Sequence, residues 1–170
     1  IRTIDDIQNA LKAGADKVAV NTKALKEPEF IKEASLIFGS QCIVVSIDAK
    51  RIAPGKWEAY YDNGREPSNI DVVEWAQKAE SLGAGEIMLT SIDAEGTKKG
   101  FDLELNEAVA TAVSIPVISS GGAGKNSDIC ELLNSTNVDA VALASVLHYD
   151  LTTISSIKND LLANGIQVRK

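Results

Sequence analysis

Short apolar runs alternate along the chain with segments in which apolar residues recur every three or four positions. The runs are nearly continuous and rich in β-branched residues, which is typical of strands buried on both faces of a parallel sheet. The periodicity between them predicts amphipathic helices. The predicted strands are Lys17–Asn21, Cys42–Asp48, Glu86–Ile92, Pro116–Ser120 and Asp139–Ser145, and the predicted helices are Ile4–Ala13, Pro28–Phe38, Asp71–Leu82, Leu103–Val113, Ser127–Leu133 and Thr152–Ala163.

Residues that favour helix ends support these boundaries. Asp71 suits an N-cap and Pro28 suits a first helical turn, whereas Gly83 and Gly165 stand where helices should end. Strands and helices alternate throughout, and most successive strand starts are 23 to 30 residues apart, as in repeated βα units. We therefore predict one α/β domain over residues 1–170, and the repeated units favour a barrel over a doubly wound sheet.

The segment between the second and third predicted strands is longer than the others. It contains Trp57-Glu58-Ala59-Tyr60-Tyr61 and then Asp62-Asn63-Gly64, in which Asn-Gly is a strong hairpin-turn signal. The sequence therefore predicts a small β-hairpin inserted after the second strand.

Composition excludes several classes of protein. The formal net charge of −7 argues against nucleic-acid binding, which needs a basic face, but allows a small anionic substrate. No apolar stretch is long enough to cross a membrane, and two isolated cysteines, Cys42 and Cys130, are typical of a reduced, cytoplasmic protein. His148 is the only histidine, so we expect no His-based triad, no multi-His metal site and no cofactor.

One glycine-rich segment is a candidate anion site. Ser119-Ser120-Gly121-Gly122-Ala123-Gly124 follows a predicted strand and precedes a helix, and its glycines allow backbone N–H groups to approach an anion. The next strand ends at Ser145, and neighbouring loops of this kind often form one phosphate site in barrels. The alternative is a flexible turn that binds nothing.

Asp48 ends a fully apolar predicted strand, which places a carboxylate at the carboxyl rim of the sheet. Partial desolvation there would raise its pKa and help it to exchange protons near neutrality. The alternatives are a capping aspartate or a salt bridge to Lys50 or Arg51.

Two further groups of polar residues have both a functional and a structural interpretation. Asp93, Gly96 and Thr97 lie in a polar loop that either holds a sugar or phosphate or is simply solvated. Lys17 and Glu86 each open a strand at the opposite rim, where such a pair is usually only structural.

Several ordered segments together resemble the cyclase subunit of imidazole glycerol phosphate synthase. The resemblance rests on Gly14–Thr22, Val44–Arg51, Glu74–Ala76, Gly83–Asp93, Gly96-Thr97 and Ser114–Gly124, and it continues through Ala144-Ser145 and His148-Tyr149. It implies a (β/α)8 barrel of the TIM-barrel family in which the five visible strands are the fourth to eighth. The first three βα units have no counterpart in this sequence. The hairpin favours this family over its relative, the phosphoribosyl isomerase of the same pathway.

The resemblance also implies an activity in histidine biosynthesis and a role for each matching residue. A partner glutaminase would bind at the amino-terminal rim and supply ammonia. The cyclase would use this ammonia to convert a bisphosphorylated formimino ribulosyl substrate into imidazole glycerol phosphate and an aminoimidazole carboxamide ribotide. Asp48 would be one of two catalytic aspartates, and the other belongs to the absent first strand. One phosphate of the substrate would be held by Ser120, Gly121, Gly122 and Ser145, and the other by Asn21 and Thr22. Further substrate contacts would come from Thr90, Asp93, Gly96 and Thr97, while Glu95 stands where an Asp is expected.

At the opposite rim, Lys17 and Glu86 would belong to a charged ring where ammonia enters, and Asp16 would face the glutaminase.

Two other functions remain open from the sequence. One is the related isomerase, and the other is an inactive phosphate-binding or assembly fragment. Five of eight strands would leave two unpaired sheet edges, which invite association. We therefore expect the isolated 170-residue chain to lack ammonia-dependent cyclase activity.

Overall fold

The computed structural model describes residues 1–169 and contains seven β-strands and eight α-helices in that range. The strands are β1 (Val18–Val20), β2 (Ile43–Ala53), β3 (Lys56–Tyr61), β4 (Glu66–Asp71), β5 (Glu86–Ser91), β6 (Val117–Ser120) and β7 (Ala140–Ala142). The helices are α1 (Ile4–Lys12), α2 (Thr22–Lys26), α3 (Glu29–Phe38), α4 (Val72–Ser81), α5 (Leu103–Ala110), α6 (Asn126–Ser135), α7 (Ser145–His148) and α8 (Ile154–Ala163), with one 3-10 turn at Ser40–Cys42.

All seven strands form one sheet. Five of them are parallel, in the order β1-β2-β5-β6-β7, and a helical segment connects each to the next along the chain. The hairpin β3–β4 extends the same sheet by antiparallel pairing of β3 with the second half of β2. This is the predicted α/β architecture, a partial (β/α)8 barrel with a hairpin insertion.

The main core lies between the sheet and its helices. Along β2, Ile43, Val45 and Ile47 are at most 1% exposed, whereas the alternate residues Ser46 and Asp48 are only half-buried. This alternation follows from the two-residue period of a strand and gives the sheet a helix-covered face and an inner face. The candidate site lies on the inner face.

Capping residues fix the helices as the sequence predicts. Asp71 accepts hydrogen bonds from the N–H groups of Val73 and Glu74 at the start of α4. Gly83 and Gly165 follow the ends of α4 and α8 with positive φ angles, a backbone conformation that glycine adopts without strain. Within residues 1–169 no helix has the length and apolarity to cross a membrane.

Two predicted strand ends are wrong, and one short helix was not predicted. Asp48 does not end its strand, since β2 continues to Ala53 by pairing with β3. The last strand stops at Ala142, so Ser145 begins the short helix α7 instead of ending a strand. Thr22, expected just after a strand, is the first residue of the unpredicted helix α2.

Candidate functional site

Three polar residues occupy one row across the inner face of the sheet. Asp48 pairs in register with Thr90 on β5, and Thr90 pairs with Ser120 on β6. Residues in register on parallel strands point to the same face, so the three side chains share the inner face. Adjacent strands lie about 4.8 Å apart, which separates Asp48 from Ser120 by roughly 10 Å.

Asp48 is half-buried and has one polar partner. The side-chain amide of Asn21 donates a hydrogen bond of 2.9 Å to its carboxylate. Burial raises the pKa of Asp48 above its ordinary value of 3.8. Within residues 1–169 no cation forms an ion pair with Asp48, because Arg51 binds other carboxylates and Lys50 lies over the ring of Tyr60. The capping and salt-bridge alternatives for Asp48 therefore do not apply.

The glycine-rich turn after β6 is tightly packed rather than flexible. Gly121 and Gly122 are buried and have φ angles of 93° and 111°. A Cβ atom on Gly122 would overlap the carbonyl oxygen of Gly100, and one on Gly124 would overlap that of Lys98. The glycines thus allow this turn to lie directly against the β5–α5 loop (residues 92–102), whose Gly100 N–H donates to the carbonyl of Gly122.

The N-terminus of the following helix is occupied by a side chain. The carboxylate of Asp128, which is 6% exposed, accepts hydrogen bonds from the N–H groups of Gly124 and Lys125. By contrast, in the described chain the N–H groups of Gly122 and Ala123 have no acceptor. The N–H groups of Gly122 and Ala123 in the turn are therefore free to meet an anion, whereas Asp128 places a carboxylate beside the start of α6.

A small cavity of about 70 Å³ lies where the turn meets the end of β7. Ser120, Gly121, Gly122 and Ser145 all line it, so the structure brings together the four residues predicted to hold one phosphate. Glu95 also lines this cavity although its side chain is exposed. A carboxylate at this position would repel a bound anion unless it moved or were protonated.

The β5–α5 loop holds the remaining predicted substrate contacts except Thr90. Asp93 accepts a hydrogen bond of 2.8 Å from the backbone N–H of Arg51. The hydroxyl of Thr97 donates to the carbonyl of Ala94, and Gly96 is exposed with a φ of 71°. Asp93 and Thr97 therefore take part in the loop's own structure, while Gly96 lies at its surface.

Asn21 and Thr22, the residues predicted for the second phosphate, line a larger cavity of about 530 Å³. Thr22 accepts a hydrogen bond of 3.1 Å from the N–H of Asp62 at the tip of the hairpin. The side-chain oxygen of Asn21 is buried and has no partner within residues 1–169. Asn21 thus faces Asp48 with its amide nitrogen, while its buried oxygen is unpaired within residues 1–169.

The opposite rim of the sheet holds the predicted ion pair. Lys17 precedes β1, Glu86 begins β5, and their side chains form a salt bridge although the two residues are 69 positions apart. The Lys17 side chain is 46% exposed and that of Glu86 is 18% exposed. Asp16 is exposed beside them in the chain. The three residues therefore share the amino-terminal rim, away from Asp48.

The arrangement combines a carboxylate of raised pKa with a nearby anion-sized cavity. It is suited to proton transfer on a phosphorylated molecule. Among residues 1–169 no group of three or more His, Cys, Asp or Glu side chains is placed to hold a metal ion.

Sequence reasoning missed two groups of residues around the site. Asp128 gave a detectable signal, because an acidic residue in the first turn of a predicted helix favours capping. Arg51, Trp57 and Asp102 form a cluster from three separate segments, and nothing in the linear sequence indicates that they meet.

Comparisons with known proteins identify the family of this chain. A family model described as "Histidine biosynthesis protein" matches residues 1–153. The chain is 48% identical over 169 residues to the imidazole glycerol phosphate synthase subunit HisF of Bacillus cereus (strain G9842), and 49% identical over 169 residues to the subunit of that name from Hydrogenobaculum sp. (strain Y04AAS1). Each match covers 99% of this chain and 67% of the relative, so the chain spans about two thirds of their length. The matched region contains the whole candidate site, and the chain therefore belongs to the histidine biosynthesis protein family.

Proposed function

We propose that this chain carries the substrate-binding rim and one catalytic aspartate of the cyclase subunit of imidazole glycerol phosphate synthase. The observation that carries the proposal is the row Asp48–Thr90–Ser120, which begins at a half-buried carboxylate and ends at the glycine-lined cavity. A molecule with a phosphate in that cavity would extend across Thr90 toward Asp48. Nearly half of all positions are identical to those of relatives named for this synthase.

The proposed reaction is a problem of moving protons. Ammonia adds to the carbonyl carbon of the substrate, water is lost, the imidazole ring closes and a C–N bond breaks, and each step adds or removes a proton. Burial makes the proton of Asp48 harder to lose than that of an exposed aspartate, so the group can both accept and return a proton. Asn21 orients the carboxylate toward the inner face through its 2.9 Å hydrogen bond.

Phosphate binding would rely on backbone donors. The N–H groups of Gly122 and Ala123 and the hydroxyls of Ser120 and Ser145 surround the cavity or lie beside it. These are neutral donors, which suits a protein with a net charge of −7. The second phosphate is assigned to the cavity at Asn21 and Thr22, where Lys26 adds positive charge and Lys23 is paired with Glu27.

Ammonia would enter at the opposite rim. Lys17 and Glu86 are members of the proposed entrance, and exposed Asp16 is assigned to the surface that a partner glutaminase contacts. The sheet lies between this rim and Asp48, so ammonia would reach the substrate along the inner face.

The test uses a chimeric subunit in which residues 1–170 replace the matching two thirds of the Bacillus cereus relative. With ammonium salt as nitrogen source, we expect the formimino ribulosyl substrate to be consumed and imidazole glycerol phosphate to appear. The related isomerase makes this substrate, so supplying its aminoaldose precursor instead is the matched control. Turnover of the precursor without cyclase activity would replace the proposal by the isomerase function. Binding without either reaction would favour the phosphate-binding fragment.

The 170-residue chain by itself is a second arm of the test. We expect it to show no ammonia-dependent cyclase activity, because the first-strand aspartate that the resemblance implies is not among its residues. Measurable turnover by the purified chain would contradict a mechanism with two aspartates.

A further inference from the structure

We propose that Arg51 is a positioning residue that holds both ends of the β5–α5 loop and thereby sets the position of that loop over the phosphate cavity. The structural part of this inference stands on contacts alone. Its consequence for catalysis rests on the function proposed above.

The first contact fixes the start of the loop. The backbone N–H of Arg51 donates a hydrogen bond of 2.8 Å to the carboxylate of Asp93, two residues beyond the end of β5. Because Arg51 lies in β2 only three residues after Asp48, the loop is tied to the strand that carries the proposed catalytic group.

The second contact fixes the end of the loop. One guanidinium nitrogen of Arg51 donates to both carboxylate oxygens of Asp102, at 2.8 and 3.0 Å, and the other terminal nitrogen donates to Glu104 at 2.7 Å. Asp102 also caps α5 by accepting from the N–H of Leu105 at 3.1 Å. The carboxylate that ends the loop thus has its position defined from both directions.

Trp57 completes the cluster from the hairpin. It lies opposite Arg51 in the β2–β3 register, and the guanidinium carbon is 4.6 Å from the ring centroid. Its indole N–H donates to Asp102 at 3.1 Å, and the residue is 3% exposed. A planar guanidinium satisfies the carboxylates and the aromatic face simultaneously, which a lysine ammonium cannot do.

The span between the two held ends includes the segment that packs against the glycine turn. Gly100 donates to Gly122, and Glu95 lines the phosphate cavity from the same loop. Movement of either end would therefore alter the cavity without touching Asp48. The hairpin insertion gains a role from this arrangement, because it supplies the ring on which Arg51 is stacked.

The experiment measures amide hydrogen exchange in the 170-residue chain with native Arg51, with Arg51→Lys and with Asp102→Asn. Asp102→Asn keeps an oxygen to cap α5 but removes the charge that binds Arg51. Arg65→Lys is the control, since Arg65 lies exposed in the turn between β3 and β4. Both variants keep the backbone hydrogen bond from Arg51 to Asp93, so we expect exchange to become about tenfold faster toward the α5 end of residues 92–102, with the β2 and β6 amides unchanged.

The kinetic arm uses the same substitutions in the chimeric subunit. We expect KM for the bisphosphorylated substrate to rise about tenfold, with a smaller change in kcat and an unshifted pH profile, because the Asp48 environment is unaltered. Unchanged exchange in residues 92–102 would overturn the proposal, as would faster exchange everywhere, which indicates general destabilisation. If the native chimera lacks cyclase activity, the proposed function fails but the exchange result still decides whether Arg51 holds the loop.

Discussion

The two rims of the parallel sheet differ in whether their carboxylates are paired with a cation. At the carboxyl rim, Asp48 is half-buried, its pKa is raised by burial, and its single polar partner within residues 1–169 is the neutral amide of Asn21. At the amino rim, Lys17 and Glu86 satisfy each other directly in a partly exposed salt bridge. Because no cation among residues 1–169 holds Asp48 in its charged form, burial alone sets the direction of its pKa shift.

The two rims therefore differ in how their charged groups affect the free energy of unfolding. Leaving Asp48 unpaired costs folding free energy and yields a group able to transfer protons. Pairing Lys17 with Glu86 contributes little stability in solvent, and the proposed function assigns the pair to the entry of ammonia. The following substitutions test this contrast between the rims.

The largest expected effect is on turnover by Asp48→Asn in the chimeric subunit. The amide keeps the shape of the carboxylate but cannot accept the proton, so we expect kcat to fall by about 10²- to 10⁴-fold with little change in KM. Steady-state kinetics at saturating ammonium measure this. Asp5→Asn, on the exposed side of α1, is the control. Turnover within twofold of the native value would remove Asp48 from the mechanism.

The second effect concerns the glycine turn beside Asp48. Gly122→Val places side-chain atoms against the carbonyl of Gly100 and forces a β-branched residue to a φ of 111°. We expect a loss of more than about 2 kcal/mol of unfolding free energy and a clear rise in substrate KM. Urea unfolding and kinetics measure the two quantities.

Gly96→Ala is the matched control for Gly122→Val. Gly96 also has a positive φ, of 71°, but no atom lies within 4 Å of a Cβ built there. We expect only the backbone cost of about 1 kcal/mol. Equal effects of the two substitutions would show that packing against the β5–α5 loop is unimportant.

A smaller effect is the pH dependence of stability due to Asp48. Its pKa is raised in the folded state, so the folded protein holds this proton more tightly than the unfolded chain does. The contribution to stability is therefore complete below the ordinary pKa of 3.8 and is lost as pH rises through the folded pKa. The free energy of unfolding of the native protein should therefore decline with pH relative to that of Asp48→Asn across this window. Above the window the two pH dependences should be parallel. Urea midpoints of both proteins would show this, and a rising difference in favour of the native protein would contradict it.

The smallest expected effect on stability comes from the amino rim. Lys17→Met should cost at most about 1 kcal/mol, because the lysine side chain is 46% exposed. In the complex with a glutaminase, glutamine-dependent turnover should fall while ammonium-dependent turnover is retained. Lys12→Met, in the last turn of α1, is the control. An equal loss with both nitrogen sources would exclude a role in ammonia passage.

Much of the fold follows from local pattern. The five parallel strands and the hairpin could be predicted because buried strands need apolar residues and tight turns need Asn-Gly. The sequence also predicted that Asp48 lies near the glycine turn, since the carboxyl ends of parallel strands share one rim. These inferences need only the order of elements along the chain.

The remaining features depend on contacts between distant segments. The extension of β2 beyond Asp48 requires β3 as its partner, and the cluster of Arg51, Trp57 and Asp102 joins three parts of the chain. The glycines of the β6–α6 turn have a clear reason only once Gly100 is seen beside Gly122. The sequence shows where glycines occur, but it does not show which distant backbone segments pack against them.

The backbone contact between Gly100 and Gly122 also has an evolutionary consequence. Two loops from different βα units meet there without an intervening side chain, so Gly122 cannot acquire a side chain while the β5–α5 loop keeps its position. Gly100 differs, because a Cβ atom added there would meet no atom within 4 Å and only its φ of 100° favours glycine. A change at Gly122 should therefore be accompanied in this lineage by a change in the β5–α5 loop, whereas distal tips such as Gly96 can vary at only the backbone cost of a positive φ.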